Sequence, residues 1–379
     1  MTTSIKPFHL NIAQDALDDM RRRLAATRWP EPETVDDWSQ GVPLERLQAL
    51  CDYWRDGYDW RRCEALLNGI GQFTTEIDGL SVHFLHRRSP EPNALPLLIT
   101  HGWPGSVIEF HKVIGPLTDP VAHGGRAEDA FHVVAPSLPG YGFSEKPREP
   151  GWTVQRIAGA WCELMRQLGY DRFVSQGGDW GSAITTVIAG LGLPEVLGVH
   201  LNMVIAMPSR SEPEPTDPQE IAALEAARRY FAGGNAYAQQ QTHRPQTIGY
   251  GLVDSPVAQA AWIYEKLCEW TDCGGDPCTI LSQDEILDNI MLYWLPGTGA
   301  SSARLYWESF SAFPADPIDI PVACSIFPKD IFITSRRWAE RKYRSLIHWN
   351  ILDKGGHFAA FEQPALFVEE LRQAFRTLR

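Results

Sequence analysis

The sequence predicts an α/β fold: a mostly parallel central sheet, a helical lid inserted between its strands, and a helical extension in front. Three observations carry that prediction. Short apolar runs that read as buried strands alternate with amphipathic helical stretches through residues 96–205, the alternation that builds parallel sheets. Two of those strands, Leu97-Leu-Ile-Thr and His132-Val-Val-Ala, run directly into the glycine- and proline-rich turns His101-Gly-Trp-Pro-Gly-Ser and Pro136-Ser-Leu-Pro-Gly-Tyr-Gly-Phe-Ser. Such sheets gather functional loops at the carboxyl ends of their strands. A third strand, Phe173 to Ser175, meets Gly177-Gly-Asp-Trp-Gly181 and then a helical apolar pattern at Ala183, Ile184, Val187 and Ile188.

Length and composition set the limits. A chain of 379 residues holds one large α/β domain with additions, and 44% aliphatic and aromatic residues is a globular composition. The net charge of −13 argues against a nucleic-acid or anionic-membrane partner. The opening MTTSIKPFHLNIAQDALDDM lacks the charged start and continuous apolar run of a signal peptide or membrane anchor. A soluble, cytoplasmic protein is expected. Seven scattered cysteines without a C-x-x-C pair read as free thiols, and no metal is expected.

Residues 1–95 form an N-terminal section. Asp15 to Trp29 places Leu17, Met20 and Leu24 at helical spacing and ends at Pro30. Leu44 to Leu67 is a second helical stretch, whose aromatics Tyr53, Trp54, Tyr58 and Trp60 are expected to pack this section onto the main domain. Phe73 to His86 alternates around Asp78-Gly79, a hairpin signal. In the core, Thr153 to Leu168 is the amphipathic helix before the third strand.

That third strand and its glycines make a strand-turn-helix of the nucleophile-elbow kind, in which a central side chain stands exposed above the sheet. Its central residue is Asp179. A serine attacking a saturated carbon would leave an ether that water does not readily cleave, whereas a carboxylate leaves an ester. A carboxylate, with an ordinary pKa of ~3.9, also needs no base to activate it. Asp179 therefore points to epoxide opening or carbon–halogen cleavage; the competing structural reading is a helix cap. The His101-Gly-Trp-Pro turn stands where an oxyanion hole forms, so the backbone N–H groups of Trp103 and Trp180 are its expected donors. His101 reads as a residue that fixes its loop.

Residues 206–315 form the lid. Ser209 to Pro218 is a linker, followed by helical stretches around Ile221–Phe231, Val257–Trp270 and Asp284–Trp294. Residues 316–379 complete the core. Pro321-Val-Ala-Cys-Ser-Ile-Phe is a late strand with Asp330 just past it, and Ser345 to Leu352 leads to Gly355-Gly-His357. The chain order nucleophile, acid, histidine is that of α/β-hydrolases, with Asp330 orienting His357. Phe358 to Arg379 ends as an amphipathic helix, with Leu366, Phe367, Leu371 and Phe375, that closes the sheet.

His101-Gly-Trp-Pro-Gly-Ser, the Asp179 elbow and Gly355-Gly-His-Phe-Ala-Ala-Phe-Glu together resemble the microsomal-type epoxide hydrolases, a branch that includes the insect juvenile hormone epoxide hydrolases. The resemblance spans nearly the whole chain, although the membrane anchor of some members has no counterpart in it. It implies the α/β-hydrolase fold, no cofactor, and a small-molecule epoxide and water as the partners. It also implies two proton-donating lid tyrosines. Asn235-Ala-Tyr-Ala-Gln-Gln-Gln-Thr-His-Arg-Pro points to Tyr237 and Ser301-Ser-Ala-Arg-Leu-Tyr-Trp-Glu-Ser to Tyr306, with Tyr250, Tyr264 and Tyr293 as rivals. Several members carry Glu where Asp330 stands here.

The expected activity is conversion of a bulky, apolar or aryl epoxide to a vicinal diol, for detoxification or natural-product biosynthesis. The alternatives are a haloalkane dehalogenase using the same aspartate and a catalytically silent receptor for an apolar ligand. A homo-oligomer is compatible with the sequence.

Overall fold

The computed structural model describes residues 5–208, 212–310 and 317–379. Its strands are β1 (Lys6–Phe8), β2 (Gln72–Ile77), β3 (Leu80–Arg87), β4 (Leu95–Thr100), β5 (Phe131–Pro136), β6 (Phe173–Gly177), β7 (Val196–Leu201), β8 (Ile318–Ile326) and β9 (Tyr343–Ile351). They form one sheet in the order β1-β2-β3-β5-β4-β6-β7-β8-β9. Pairing is antiparallel from β1 to β5 and parallel from β5 onward. This is the α/β-hydrolase fold. The strand order reverses at β4, so the carboxyl ends of β4 and β6 flank a crevice, the usual place for a ligand in an open α/β sheet.

The turn between β2 and β3 places Asp78 at φ 52° and Gly79 at φ 76°, the pair of positive φ values that a tight hairpin requires. Strand β1 follows from no alternation in the sequence. It is three residues long and gains its place by pairing Lys6–Phe8 with Gln72–Thr74.

In front stand α1 (Gln14–Ala25), α2 (Leu44–Asp56) and α3 (Trp60–Ile70). The single helical stretch expected over Leu44–Leu67 is thus two helices. The chain breaks at Gly57, where a Cβ would sit 2.7 Å from the Tyr53 ring, and restarts at Asp59, whose side chain accepts from Arg61 N–H. The core helices are α4 (His111–Thr118), α5 (Val154–Gln167) and α6 (Trp180–Gly190).

Between β7 and β8 come α7 (Pro218–Arg229), α8 (Ala236–His243), α9 (Pro245–Asp254), α10 (Pro256–Trp270), α11 (Gln283–Trp294) and α12 (Gly299–Ser309). Of the expected linker, Ser209–Ser211 lie outside the described residues. The front helices hold to this insertion through the aromatics assigned to the core contact. Tyr53 Oη donates to Asp284 at 2.8 Å, Tyr58 Oη to Asp288 at 2.7 Å, and Trp54 Nε1 meets Met291 Sδ at 3.3 Å. All three partners lie on α11, where Asp288 is buried and Asp284 half-buried. The chain ends in α13 (Arg336–Lys342), α14 (Ala359–Glu362) and α15 (Pro364–Ala374), and α15 carries Leu366, Phe367 and Leu371 of the expected closing helix. Among the described residues, no helix is long and apolar enough to cross a membrane.

Candidate active site

Asp179 stands between β6 and α6 at φ 51°, ψ −127°, a backbone state that costs a non-glycine residue about 1–3 kcal/mol and is held by its surroundings. Those surroundings require glycine. A Cβ at Gly181 would lie 2.0 Å from the Thr100 carbonyl oxygen, and one at Gly102 would lie 2.1 Å from Asp179 Oδ1. The missing side chains let α6 begin against the end of β4 and let the following loop close over the carboxylate. The aspartate makes no capping bond to its helix, so the competing cap reading fails.

Each carboxylate oxygen has its own partner. The backbone N–H of Trp103 donates to Oδ1 at 2.8 Å, and Nε2 of His357 lies 3.2 Å from Oδ2. Trp180, the other expected donor, opens α6 immediately after Asp179. On the far side of the imidazole, Nδ1 is 2.7 Å from Asp330 Oδ1. Asp330 follows β8 and His357 follows β9, as the chain order requires. His357 and Asp330 are both buried. Burial alone would lower the imidazole's pKa, but the Asp330 and Asp179 carboxylates override it and hold His357 well above its ordinary value.

Tyr237 on α8 and Tyr306 on α12 converge on the same place. The Tyr237 ring stacks on Trp103 at 4.9 Å and 8°, while Tyr306 meets the Trp180 ring edge-on at 4.8 Å. Burial raises both phenols well above their ordinary value, so they keep their protons near neutral pH. The three rival tyrosines lie elsewhere. Tyr250 is exposed, Tyr264 packs on Trp38, and Tyr293 donates to the Gly105 carbonyl. His101 has the structural role expected of it: Nδ1 lies 2.9 Å from the Gly102 carbonyl and Nε2 accepts from Leu138 N–H. Burial lowers its pKa to about 4.

In front of Asp179 opens a cavity of about 260 Å³, lined by Trp180, Met203, Tyr230, Tyr237, Tyr306 and Phe332 among others. Its walls are almost entirely apolar apart from Asp179 and the three phenols. Among the described residues, no group of three His, Cys, Asp or Glu side chains is placed to hold a metal ion, and all seven cysteines are free thiols.

Comparison with known proteins names the family. Residues 5–110 match the epoxide hydrolase N terminus and residues 96–249 the alpha/beta hydrolase fold. Epoxide hydrolase 1 of Sus scrofa is 35% identical over 98% of this chain and 88% of its own length. The chain belongs to the epoxide hydrolase family. A protein of Stigmatella aurantiaca, provisionally named an epoxide hydrolase, is 58% identical over 99% of this chain and 86% of its own. The structure of the juvenile hormone epoxide hydrolase of Bombyx mori superposes with a TM-score of 0.91 at 30% identity, covering 100% of this chain and 95% of that one. This chain is an epoxide hydrolase, and the dehalogenase and silent-receptor alternatives fall away.

Some residues of this epoxide hydrolase site escaped the sequence reading. Glu362 accepts from Gly356 N–H at 3.1 Å and Phe358 N–H at 2.9 Å, one on each side of His357, and from Asp272 N–H at 2.8 Å. It stood inside a quoted motif with no role attached. Lys266, buried between Glu265 and Glu269, sits 5.1 Å over the Tyr237 ring. Its signal was a charged residue on the apolar stripe of α10, between Ile263 and Trp270. Tyr230, with its hydroxyl 3.3 Å from that of Tyr237, carried no sequence signal.

Proposed function

We propose that the enzyme opens a bulky, apolar epoxide in two covalent steps. Asp179 attacks one oxirane carbon while Tyr237 and Tyr306 donate to the departing oxygen, giving an alkyl-enzyme ester. His357, oriented by Asp330, then takes a proton from water, which attacks the Asp179 carbonyl carbon. The N–H groups of Trp103 and Trp180 hold the oxyanion, and the vicinal diol leaves. No cofactor enters. The observation that carries this reading is the division of one carboxylate, with Oδ1 on the Trp103 N–H at 2.8 Å and Oδ2 at 3.2 Å from His357 Nε2. An ester on Oδ2 would keep Oδ1 in the oxyanion position and its carbonyl carbon beside the base.

The electrostatics support the order of events. Between two carboxylates, His357 is held toward its protonated form in the resting enzyme, which disfavours it as a base there. Alkylation neutralises Asp179 and removes one of the two charges that keep the proton on. The imidazole's pKa falls at the moment when water must be activated. The apolar cavity wall selects hydrophobic substituents on the oxirane.

The test is turnover of racemic styrene oxide in ¹⁸O-labelled water, followed by mass analysis of the peptide bearing Asp179. Label in that carboxylate after many turnovers is the expected result. A carboxylate that stays unlabelled while diol accumulates would show direct attack of water on the epoxide and end the covalent reading.

A further inference from the structure

Tyr237 and Tyr306 do not have equivalent surroundings. The rings packed around Tyr306 are those of Trp103, Trp180, Tyr237 and Phe310. Tyr237 has two further neighbours that can answer a negative charge on its oxygen. The Tyr230 hydroxyl stands 3.3 Å from its own, and the Lys266 ammonium sits 5.1 Å over its ring.

Tyr230 lies just past α7, in the wider helical turn Tyr230–Gly234 that leads into α8. Seven positions separate it from Tyr237, a helical spacing that returns two side chains to one face. Its buried ring packs on Phe332 at 4.7 Å and on Phe231 at 5.3 Å, which fixes where the hydroxyl points. Among the described residues, the hydrogen-bond partner of that hydroxyl is Tyr237. A phenol has one proton to donate and lone pairs to accept with. With Tyr230 as donor, Tyr237 accepts on a lone pair and keeps its own proton for the oxirane oxygen; the reverse direction would occupy the proton that the reaction needs.

We propose that Tyr237 is the phenol that gives up its proton, that Tyr306 holds the oxirane oxygen by a hydrogen bond, and that Tyr230 is a positioning residue that donates to the Tyr237 oxygen as it becomes a phenolate. This division of labour rests on the alkyl-enzyme ester route given above. A phenolate left unpaired in an apolar cavity is costly, and a hydrogen bond to a charged oxygen is roughly twice as strong as one between neutral groups. The Tyr230 bond therefore strengthens as the charge develops, and an interaction that is stronger in the transition state than in the ground state speeds the step. Lys266 attracts the same charge from above the ring, tempered by its ion pairs with Glu265 and Glu269.

The atoms balance. One carbon–oxygen bond of the oxirane breaks as Asp179 bonds to that carbon, and the Tyr237 proton passes to the freed oxygen. Tyr230 keeps its own proton throughout. Water then cleaves the ester, giving the diol, the Asp179 carboxylate and one proton, and that proton restores Tyr237. Burial chiefly raises Tyr230 to about 12; the bond to Tyr237 opposes the rise, and the Asp179 and Glu269 charges add to it. Tyr230 therefore carries the proton it donates at neutral pH.

The experiment is a double-mutant cycle on the full chain with styrene oxide, with ester formation and hydrolysis resolved by stopped-flow tryptophan fluorescence and mass measurement of acid-quenched enzyme. Tyr230→Phe, which removes only the hydroxyl, should slow ester formation about tenfold, the loss of one hydrogen bond to a charged group, and leave hydrolysis within about threefold of wild type. Because Tyr230 acts through Tyr237, the same change should cost less than about twofold more in a Tyr237→Phe background and again about tenfold in a Tyr306→Phe background. A residue that merely shaped the cavity would cost the same in both backgrounds. Equal losses in the two backgrounds, coupling to Tyr306 instead of Tyr237, or unchanged ester formation in Tyr230→Phe overturns the assignment. Ester absent from wild type and from His357→Gln alike identifies failure of the covalent reading itself, and the role of Tyr230 falls with it.

Discussion

On the proposed mechanism Asp179 needs two kinds of neighbour, those that serve ester formation and those that serve ester hydrolysis, and the two sets stand on different sides of its carboxylate. The tyrosines line the substrate cavity, while His357 stands against Oδ2 with Asp330 behind it. Single substitutions should therefore split the reaction. His357→Gln is expected to form the ester and hydrolyse it about 10³-fold more slowly, a loss within the range for removal of a general base; rapid-quench mass measurement reads it directly. Tyr237→Phe and Tyr306→Phe should each slow ester formation about tenfold or more and leave its hydrolysis near wild type. Losses confined to hydrolysis in the Phe variants would remove the tyrosines from the role of acids. Asp179, His357 and the order of the triad were legible because glycines and chain order are local signals. Glu362 and Lys266 were not, since each meets the site through a tertiary contact that no spacing encodes.

At the scale of elements, the loop after β9 that carries His357 is stitched to the end of α10. His357 N–H donates to the Trp270 carbonyl at 2.9 Å, Gly355 N–H to Asp272 Oδ2 at 3.0 Å, and Asp272 N–H returns to Glu362. The insertion thus helps to fix His357 in place as well as walling the cavity beside Asp179. Glu362 accepts on both oxygens, and an amide offers only one acceptor. Glu362→Gln should strand at least one buried N–H, at a cost of about 1–3 kcal/mol. The expected outcome is faster amide exchange confined to residues 270–272 and 355–358 and slower ester hydrolysis, with ester formation less affected. Exchange unchanged in both segments would deny the link. The sequence exposed the strands and helices of this region through their periodicity, but not the stitching, which joins residues 83–90 positions apart. The break at Gly57 was missed for a different reason: the glycine is needed by the Tyr53 ring four residues earlier, not by the helical pattern.

For the whole molecule, the buried titratable groups set the pH range of stability. His83 and His200 are lowered to about 3, and His86 and His101 to about 4, chiefly by burial. A group whose folded pKa lies below its unfolded value of 6.5 contributes stability that is present above that value and lost as pH falls through the window down to the folded pKa. Glu370 acts in the same direction at lower pH. Burial opposes its charge, but hydrogen bonds from His348, Ser325 and Asn350 hold it at about 2. Glu109 and Glu362 act in the opposite sense, because burial raises them to about 8 and about 7, so their contribution fades as pH rises from about 4.5. The histidines dominate on the acid side. Each adds a slope of up to about 1.4 kcal/mol per pH unit, and several acting together exhaust the roughly 5–15 kcal/mol of an ordinary fold within a few units. The urea midpoint should therefore be highest near neutrality and fall steeply between pH 6.5 and about 4. His83 gives the sharpest test, since its ring nitrogens lie 3.0 Å from Ser137 Oγ and 3.0 Å from Gln72 Oε1, both neutral groups. His83→Gln should lower the midpoint at pH 8 and flatten its acid fall between pH 6.5 and 4. A midpoint that stays level over that window in the wild-type protein would mean that these histidines take up protons without unfolding.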